Sequence, residues 1–325
     1  MKALVTGAGG YLGGAITRAL MERGDEVVCL QRGDYAWLHQ SGIEVRRGDI
    51  AEPGHVLNAS RGCDVVFHVA GMTGVWGPES GYVRTNVTGT EMVIQACRQN
   101  RVPALVYTSS PSVVFDGSDE SGIDESRPYP ERFFNHYQST KARAEQLVLQ
   151  ASSDVLGCVA LRPHLIWGPG DPHLIGRILE RARTGRLRLV KSANRVDTTF
   201  VDNAALAHLL AADALLGGRN IGGRKYFISN GEPAILPDLI NRILTASGMP
   251  PASRYVSPAT AYLAGTLSEW YYRASGRQGE PLMTRFIARQ LSCDHWYDIS
   301  AAHRDLGYVP QVSIEQGLAQ LVPRP

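Results

Sequence analysis

The sequence predicts an α/β protein: a Rossmann-type, doubly wound parallel sheet followed by a smaller C-terminal domain. Three observations predict it. Strand-like apolar runs alternate with helical patterns through the first half of the chain. A glycine-rich turn stands between the first such strand and the first helix. A turn cluster, Gly168-Pro169-Gly170-Asp171-Pro172, then breaks the rhythm. Alternation at this pace implies right-handed crossovers and a parallel sheet with helices on both faces.

Taken in order, Lys2–Thr6 is a short β-branched and apolar run. Leu12, Ile16, Ala19 and Leu20 follow at helical spacing and stop at Gly24. Strands are predicted at 26–30, 43–46 and 64–69. Residues 82–100 read as a helix and 104–109 as a fifth strand. Residues 137–150 are helical, and 155–162 form a sixth strand. Beyond the turn cluster the elements shorten: helices near 173–184 and 203–216, strands near 186–190 and 225–229. Three further helices are expected near 236–247, 257–273 and 281–291. The first domain is placed at 1–165 and the second mostly at 166–325, with segments returning to the sheet.

Bulk properties narrow the function. The 325 residues carry 33 Lys and Arg against 31 Asp and Glu, a net charge of +2. That balance gives no global field for nucleic acid. The five cysteines form no C-x-x-C and read as isolated thiols in a reducing compartment. No Cys/His cluster suggests a metal. The N-terminal apolar run is too short for a secretory signal, and no segment reaches the ~18 apolar residues a membrane span needs. A cytoplasmic protein is expected.

The glycine turn reads Thr6-Gly7-Ala8-Gly9-Gly10-Tyr11-Leu12-Gly13. Gly7, Gly10 and Gly13 let the backbone turn tightly and let a pyrophosphate approach the helix N-terminus, where free amides and the helix dipole attract an anion. Tyr11 and Leu12 belong to the same loop. At the tip of the second strand, where NAD sites usually carry an acid, the chain reads Gln31-Arg32-Gly33. Arg32 suits a 2′-phosphate by forked guanidinium contact, which favours NADP. The alternative is that Arg32 stacks on adenine and Asp34 binds the ribose. Asp49 and Ile50, after the third strand, are candidate adenine contacts; for Asp49, loop capping is the competing role.

Tyr137 and Lys141 lie one helical turn apart and share a face. A phenol titrates near 10, too high to exchange protons readily at neutral pH; a neighbouring ammonium stabilises its phenolate. Ser110, at the carboxyl end of the fifth strand, sits where ligands of such sheets bind and can orient a substrate oxygen. Ser109 is the second choice. His68 reads as a satisfied core residue.

These motifs together resemble the extended short-chain dehydrogenase/reductases. The matching runs are Gly7/Gly10/Gly13, Gly48-Asp49, His68-Val69-Ala70-Gly71, Asn86-Val87-Thr88-Gly89-Thr90, Tyr107-Thr108-Ser109-Ser110, Tyr137/Lys141, Leu161-Arg162-Pro163, Gly168-Pro169-Gly170 and Val201-Asp202-Asn203-Ala204. They cover nearly the whole chain, and with them an enzyme with a small hydrophobic substrate is expected, working as a homodimer or within a multi-enzyme assembly. The resemblance implies that Asn86 supports the active-site helix, that Ala70 and Gly71 line the cofactor, and that Pro163 and His164 lie near the nicotinamide. Tyr107 to Ser110 resembles the 3β-hydroxysteroid dehydrogenase branch. The runs 161–171, 185–190, 226–233 and 303–313 resemble a bacterial branch of olefin biosynthesis. That likeness implies NADPH-linked reduction of a long-chain 2-alkyl-3-oxoalkanoic acid to the 2-alkyl-3-hydroxyalkanoic acid. The alternatives are a 3β-hydroxysteroid dehydrogenase, with or without isomerase activity, and a nucleotide-sensing protein with a dead site. An aromatic stretch from Tyr255 to Tyr272 would wall an alkyl channel or simply pack a core. Seven cations between Arg177 and Arg195, against Glu180 alone, would meet an anion or coat a solvated helix.

Overall fold

The computed structural model describes residues 1–277 and 279–321. Seven parallel strands form the central sheet: β1 (Lys2–Thr6), β2 (Glu26–Gln31), β3 (Glu44–Arg47), β4 (Val65–His68), β5 (Ala104–Thr108), β6 (Gly157–Pro163) and β7 (Arg224–Ile228). Their order is β7-β6-β5-β4-β1-β2-β3. The order reverses between β1 and β4, which opens a crevice past the carboxyl ends of those strands.

The strands alternate sides with the two-residue period of a pleat. Ala3, Val5 and Val106 join one buried cluster with Leu12, Ile16 and Leu20 of α1 (Tyr11–Glu22). Leu4, Leu105 and Tyr107 join another, with Val93 and Cys97 of α2 (Gly89–Asn100) and Ala144 and Val148 of α3 (His136–Ala151). The sheet is therefore covered on both faces. The first cluster continues into α4 (Val201–Leu216), which packs beside α1.

The second half adds short pieces. A four-stranded sheet joins Ala234–Ile235, Arg195–Val196, His295–Tyr297 and Glu120–Ile123. The strand expected at 186–190 shrinks to Leu189–Val190, paired with Tyr255–Val256. The helix expected over 82–100 starts at Glu79 and passes through a π-helical turn, Val83–Thr88, before α2. The helix expected near 281–291 is only Arg285–Gln290, because Thr284 caps its start by accepting from the Ile287 amide. All five cysteines are buried and free. No helix among the described residues is long and apolar enough to cross a membrane.

Candidate active site

The phosphate loop has the backbone that its glycines permit. Gly7 has φ +73°, and a Cβ there would lie 2.9 Å from the Ala70 Cα. A Cβ at Gly13 would lie 2.2 Å from the Gly7 carbonyl oxygen. Only glycine allows β1, α1 and the Ala70-Gly71 turn to meet this closely. Gly10 occupies the N-cap position of α1, and neither a side-chain cap nor a first-turn acid covers the helix start. The first amides of α1 are thus available to an anion. The Thr6 hydroxyl accepts from the Val69 and Ala70 amides at 3.2 Å each, which ties the two turns together. Leu12 and Tyr11 face inward: Leu12 is buried, and the Tyr11 phenol reaches Gly168, where burial raises its pKa.

Beside this loop the ends of β2 and β3 present two guanidinium groups. Arg47 donates to the Arg32 carbonyl at 3.1 Å, so the two residues are neighbours. Among the described residues, neither has a carboxylate within ion-pair distance. Asp34 is bonded instead to His39 at 2.8 Å. Gln31 is 5% exposed, and neither atom of its amide has a partner. A buried amide without partners is costly, and its presence at the strand tip fits a polar group arriving from outside. Tyr35 lies over Gly9 and Gly33 on the same rim. Sequence reading passed over Gln31, Arg47 and Tyr35; the missing acid at Gln31 was the signal available. Asp49 accepts from the Ala51 amide at 3.0 Å and pairs with Arg84 at 2.9 Å, so in this structure it caps its loop. Ile50 is buried against Gly89.

Tyr137 and Lys141 sit on α3, whose start is capped by Asn135 accepting from the Gln138 amide at 2.9 Å. Gln138 is fully buried; its Nε2 donates to the carbonyls of Ser112 and Phe115 at 2.8 and 3.0 Å. That link fixes the turn after β5 against the helix. Ser110 opens this turn, with its Oγ 2.9 Å from the Ser112 hydroxyl. Burial raises the Tyr137 pKa, and the bond to the nearby Ser110 hydroxyl offsets only part of the rise. Ser109 points the other way, buried on the side of Glu145.

Lys141 donates to the Thr108 carbonyl at 2.5 Å, and its ammonium lies 4.2 Å from the centre of the Tyr107 ring. Burial lowers its pKa to about 7, with the Glu145 charge opposing the shift. Glu145 lies one further turn along α3. Its carboxylate is held by Arg162 of β6 at 2.9 Å through Nε and 2.5 Å through Nη2, and by Tyr129 at 2.6 Å; Glu145 and Arg162 are fully buried. The face that carries Tyr137 and Lys141 is thereby anchored to the sheet.

Asn86 lies in the π-helical turn. It accepts from the Met72 amide at 2.7 Å and donates to the Met72 carbonyl and the Thr140 hydroxyl, each at 3.1 Å. It joins the loop after β4 to α3. Gly71 lies beside both Asn86 and Lys141. Past Pro163, the His164 amide donates to Ile228, and its ring Nδ1 lies 2.7 Å from the Asp197 carbonyl. Only a protonated Nδ1 can donate to that carbonyl, so a neutral His164 carries its lone pair on Nε2. Burial, then the neighbouring His295, keeps the ring neutral. His68 is a satisfied core residue, between Thr6 at 3.0 Å and Thr90 at 2.9 Å, and burial lowers its pKa to about 3.

A Rossmann sheet with Ser110 at the end of β5 and Tyr137 and Lys141 on the helix packed beside it is the arrangement of an oxidoreductase of the extended short-chain dehydrogenase/reductase type. The chain belongs to the 3-beta hydroxysteroid dehydrogenase/isomerase family, whose model matches residues 4–258. It is 50% identical to the 2-alkyl-3-oxoalkanoate reductase of Stenotrophomonas maltophilia, over 99% of this chain and 98% of that protein. It is 48% identical to the 2-alkyl-3-oxoalkanoate reductase of Shewanella oneidensis, over 98% of this chain and 85% of that one. The 3-beta-hydroxysteroid dehydrogenase of Mycolicibacterium neoaurum is 32% identical, over 99% and 90%. Among solved structures, gox2253 superposes with a TM-score of 0.80 at 27% identity, covering 98% of this chain and 96% of that one.

Proposed function

We propose that this protein reduces the 3-keto group of a long-chain 2-alkyl-3-oxoalkanoic acid to the alcohol, with NADPH as reductant, in a bacterial route to long-chain olefins. The observation that carries the reaction class is the Ser110 hydroxyl against the Tyr137 phenol at the end of β5, with Lys141 one turn along the same helix and bonded to the Thr108 carbonyl of that strand. The substrate class rests on near-half identity to two 2-alkyl-3-oxoalkanoate reductases across almost the whole chain. The preference for NADPH rests on Arg32 and Arg47 beside an unpartnered Gln31.

When bound, the nicotinamide would supply the hydride. Gly7, Gly10 and Gly13 would admit the pyrophosphate to the start of α1, and Arg32 would face the 2′-phosphate. Ala70, Gly71, Pro163 and His164 would line the floor. Ser110 would hold the carbonyl oxygen against the Tyr137 hydroxyl, which gives up its proton as the oxygen gains charge. Lys141, in its cationic form, would lower the cost of the phenolate left behind.

The test is a reductase assay with purified protein, comparing long-chain 2-alkyl-3-oxo acids with 3-ketosteroids under NADPH and NADH. The proposal predicts turnover of the β-keto acids with NADPH and at least tenfold weaker kcat/KM for steroids. Steroid turnover in the absence of β-keto acid reduction would assign the chain to its 3β-hydroxysteroid relatives.

A further inference from the structure

We propose that the outer face of α5 (Pro258–Ser275) is a peripheral docking surface for an anionic lipid membrane, next to the mouth of the crevice. The inference goes beyond the catalytic reading and does not depend on it. The helix packs by one narrow stripe: Ala261, Gly265 and Glu269 are its buried residues. Gly265 approaches the backbone of Thr284 so closely that a Cβ would lie 2.6 Å from its carbonyl carbon. Glu269 turns inward to the Arg285 amide and guanidinium, at 2.7 and 2.9 Å.

The opposite side is apolar and open to solvent. Leu263, Leu267, Trp270 and Tyr271 are 59%, 58%, 68% and 49% exposed. At 100° per residue they fall within one arc of the helix, with Ala259, Ala264 and Ala274 beside them. Thr260 is the one polar residue in this arc, and no charged residue of α5 falls in it. Single exposed leucines are ordinary; a contiguous stripe with Trp at its end marks an interaction surface.

The charge around the stripe selects the occupant. The strand Tyr255–Val256, which leads into α5, pairs in register with Leu189–Val190. This brings Arg186, Arg188, Lys191 and Arg254, all exposed, alongside the start of the helix. Among the described residues, Arg177 is the one cation of the 177–195 run with a carboxylate partner, Glu280 at 2.9 Å. An apolar helix face with unpaired cations gathered at its start, and Trp and Tyr at its edges, matches a surface that is oily below and anionic above. The helix is too polar on its packed side to cross a bilayer, so it would lie in the interface. On the packed side of the helix, Tyr272 meets Trp76 of the loop past β4 edge-on, with ring centres 6.1 Å apart, so a docked α5 would hold the membrane behind the loop that Asn86 ties to the catalytic helix.

The test is co-sedimentation of the full chain with vesicles of equal parts phosphatidylglycerol and phosphatidylcholine, and with phosphatidylcholine alone, at low salt. We expect at least tenfold stronger binding to the anionic vesicles. The double variant Leu267→Glu/Trp270→Glu should lose that binding at least tenfold with an unchanged melting temperature, since both side chains face solvent. Arg186→Glu/Arg188→Glu should erase the preference for anionic lipid. Absence of binding to anionic vesicles, or binding unchanged in the Leu267/Trp270 variant, overturns the proposal. So does a dimer of the wild-type chain that this variant splits, because a second copy would then cover the face.

Discussion

At the scale of single residues, the proposed chemistry turns on how burial and its neighbours set two pKa values. Tyr137 is raised by burial and eased by Ser110, and Lys141 is lowered to about 7. A lysine with that value is cationic below pH 7 and neutral above it. The help we propose it gives to the departing proton is therefore present on the acid side and fades as pH rises. We predict that kcat/KM for NADPH in the reductive direction falls as pH rises through about 7. A Lys141→Arg variant, charged throughout, should have lower activity but no such limb; the same limb in that variant would assign it to another group. Arg32→Glu should cut the NADPH-over-NADH ratio of kcat/KM by at least tenfold, because it places an anion against the 2′-phosphate. An unchanged ratio would move phosphate recognition to Arg47. Glu145 and Arg162 are fully buried partners. Glu145→Gln leaves the guanidinium uncompensated and should cost about 3–5 kcal/mol in urea denaturation.

Elements show which parts of the account sequence alone could carry. The glycine loop, Tyr137 and Lys141 were legible because each depends on local spacing: a strand, a turn and one helical repeat. Gly13→Ala should therefore abolish cofactor binding in a fluorescence titration, since its Cβ would meet the Gly7 carbonyl at 2.2 Å; tight binding by this variant would show that the loop can relax. The strands at Glu120–Ile123 and His295–Tyr297 were not legible. They are short, and they pair across 175 residues, as His295 does with Glu120. Their stability comes from partners that no local pattern announces. The role of Gln138 was hidden for the same reason: it is one of the residues between Tyr137 and Lys141, and its value lies in reaching the carbonyls of Ser112 and Phe115. The exposure of Leu263, Leu267 and Trp270 was equally hidden, because an outward apolar face has the same sequence as an inward one.

Across the whole molecule, β7 completes the sheet from the second half, and one apolar cluster runs through both halves. Ligand binding at the crevice should therefore stabilise the chain as a unit. NADPH at about a hundred times its Kd should add about 2.7 kcal/mol to unfolding, with a smaller gain from NADH at the same concentration. Equal shifts would argue against a 2′-phosphate site at the ends of β2 and β3. The central claim, however, is that the Tyr137 phenol delivers the proton. Its most direct test is Tyr137→Phe, measured by NADPH titration and by single-turnover reduction of a 2-alkyl-3-oxo acid. The account predicts a Kd for NADPH within about threefold of wild type and a rate lower by roughly 10²–10⁴. A variant that still reduces the ketone at the wild-type rate would contradict it.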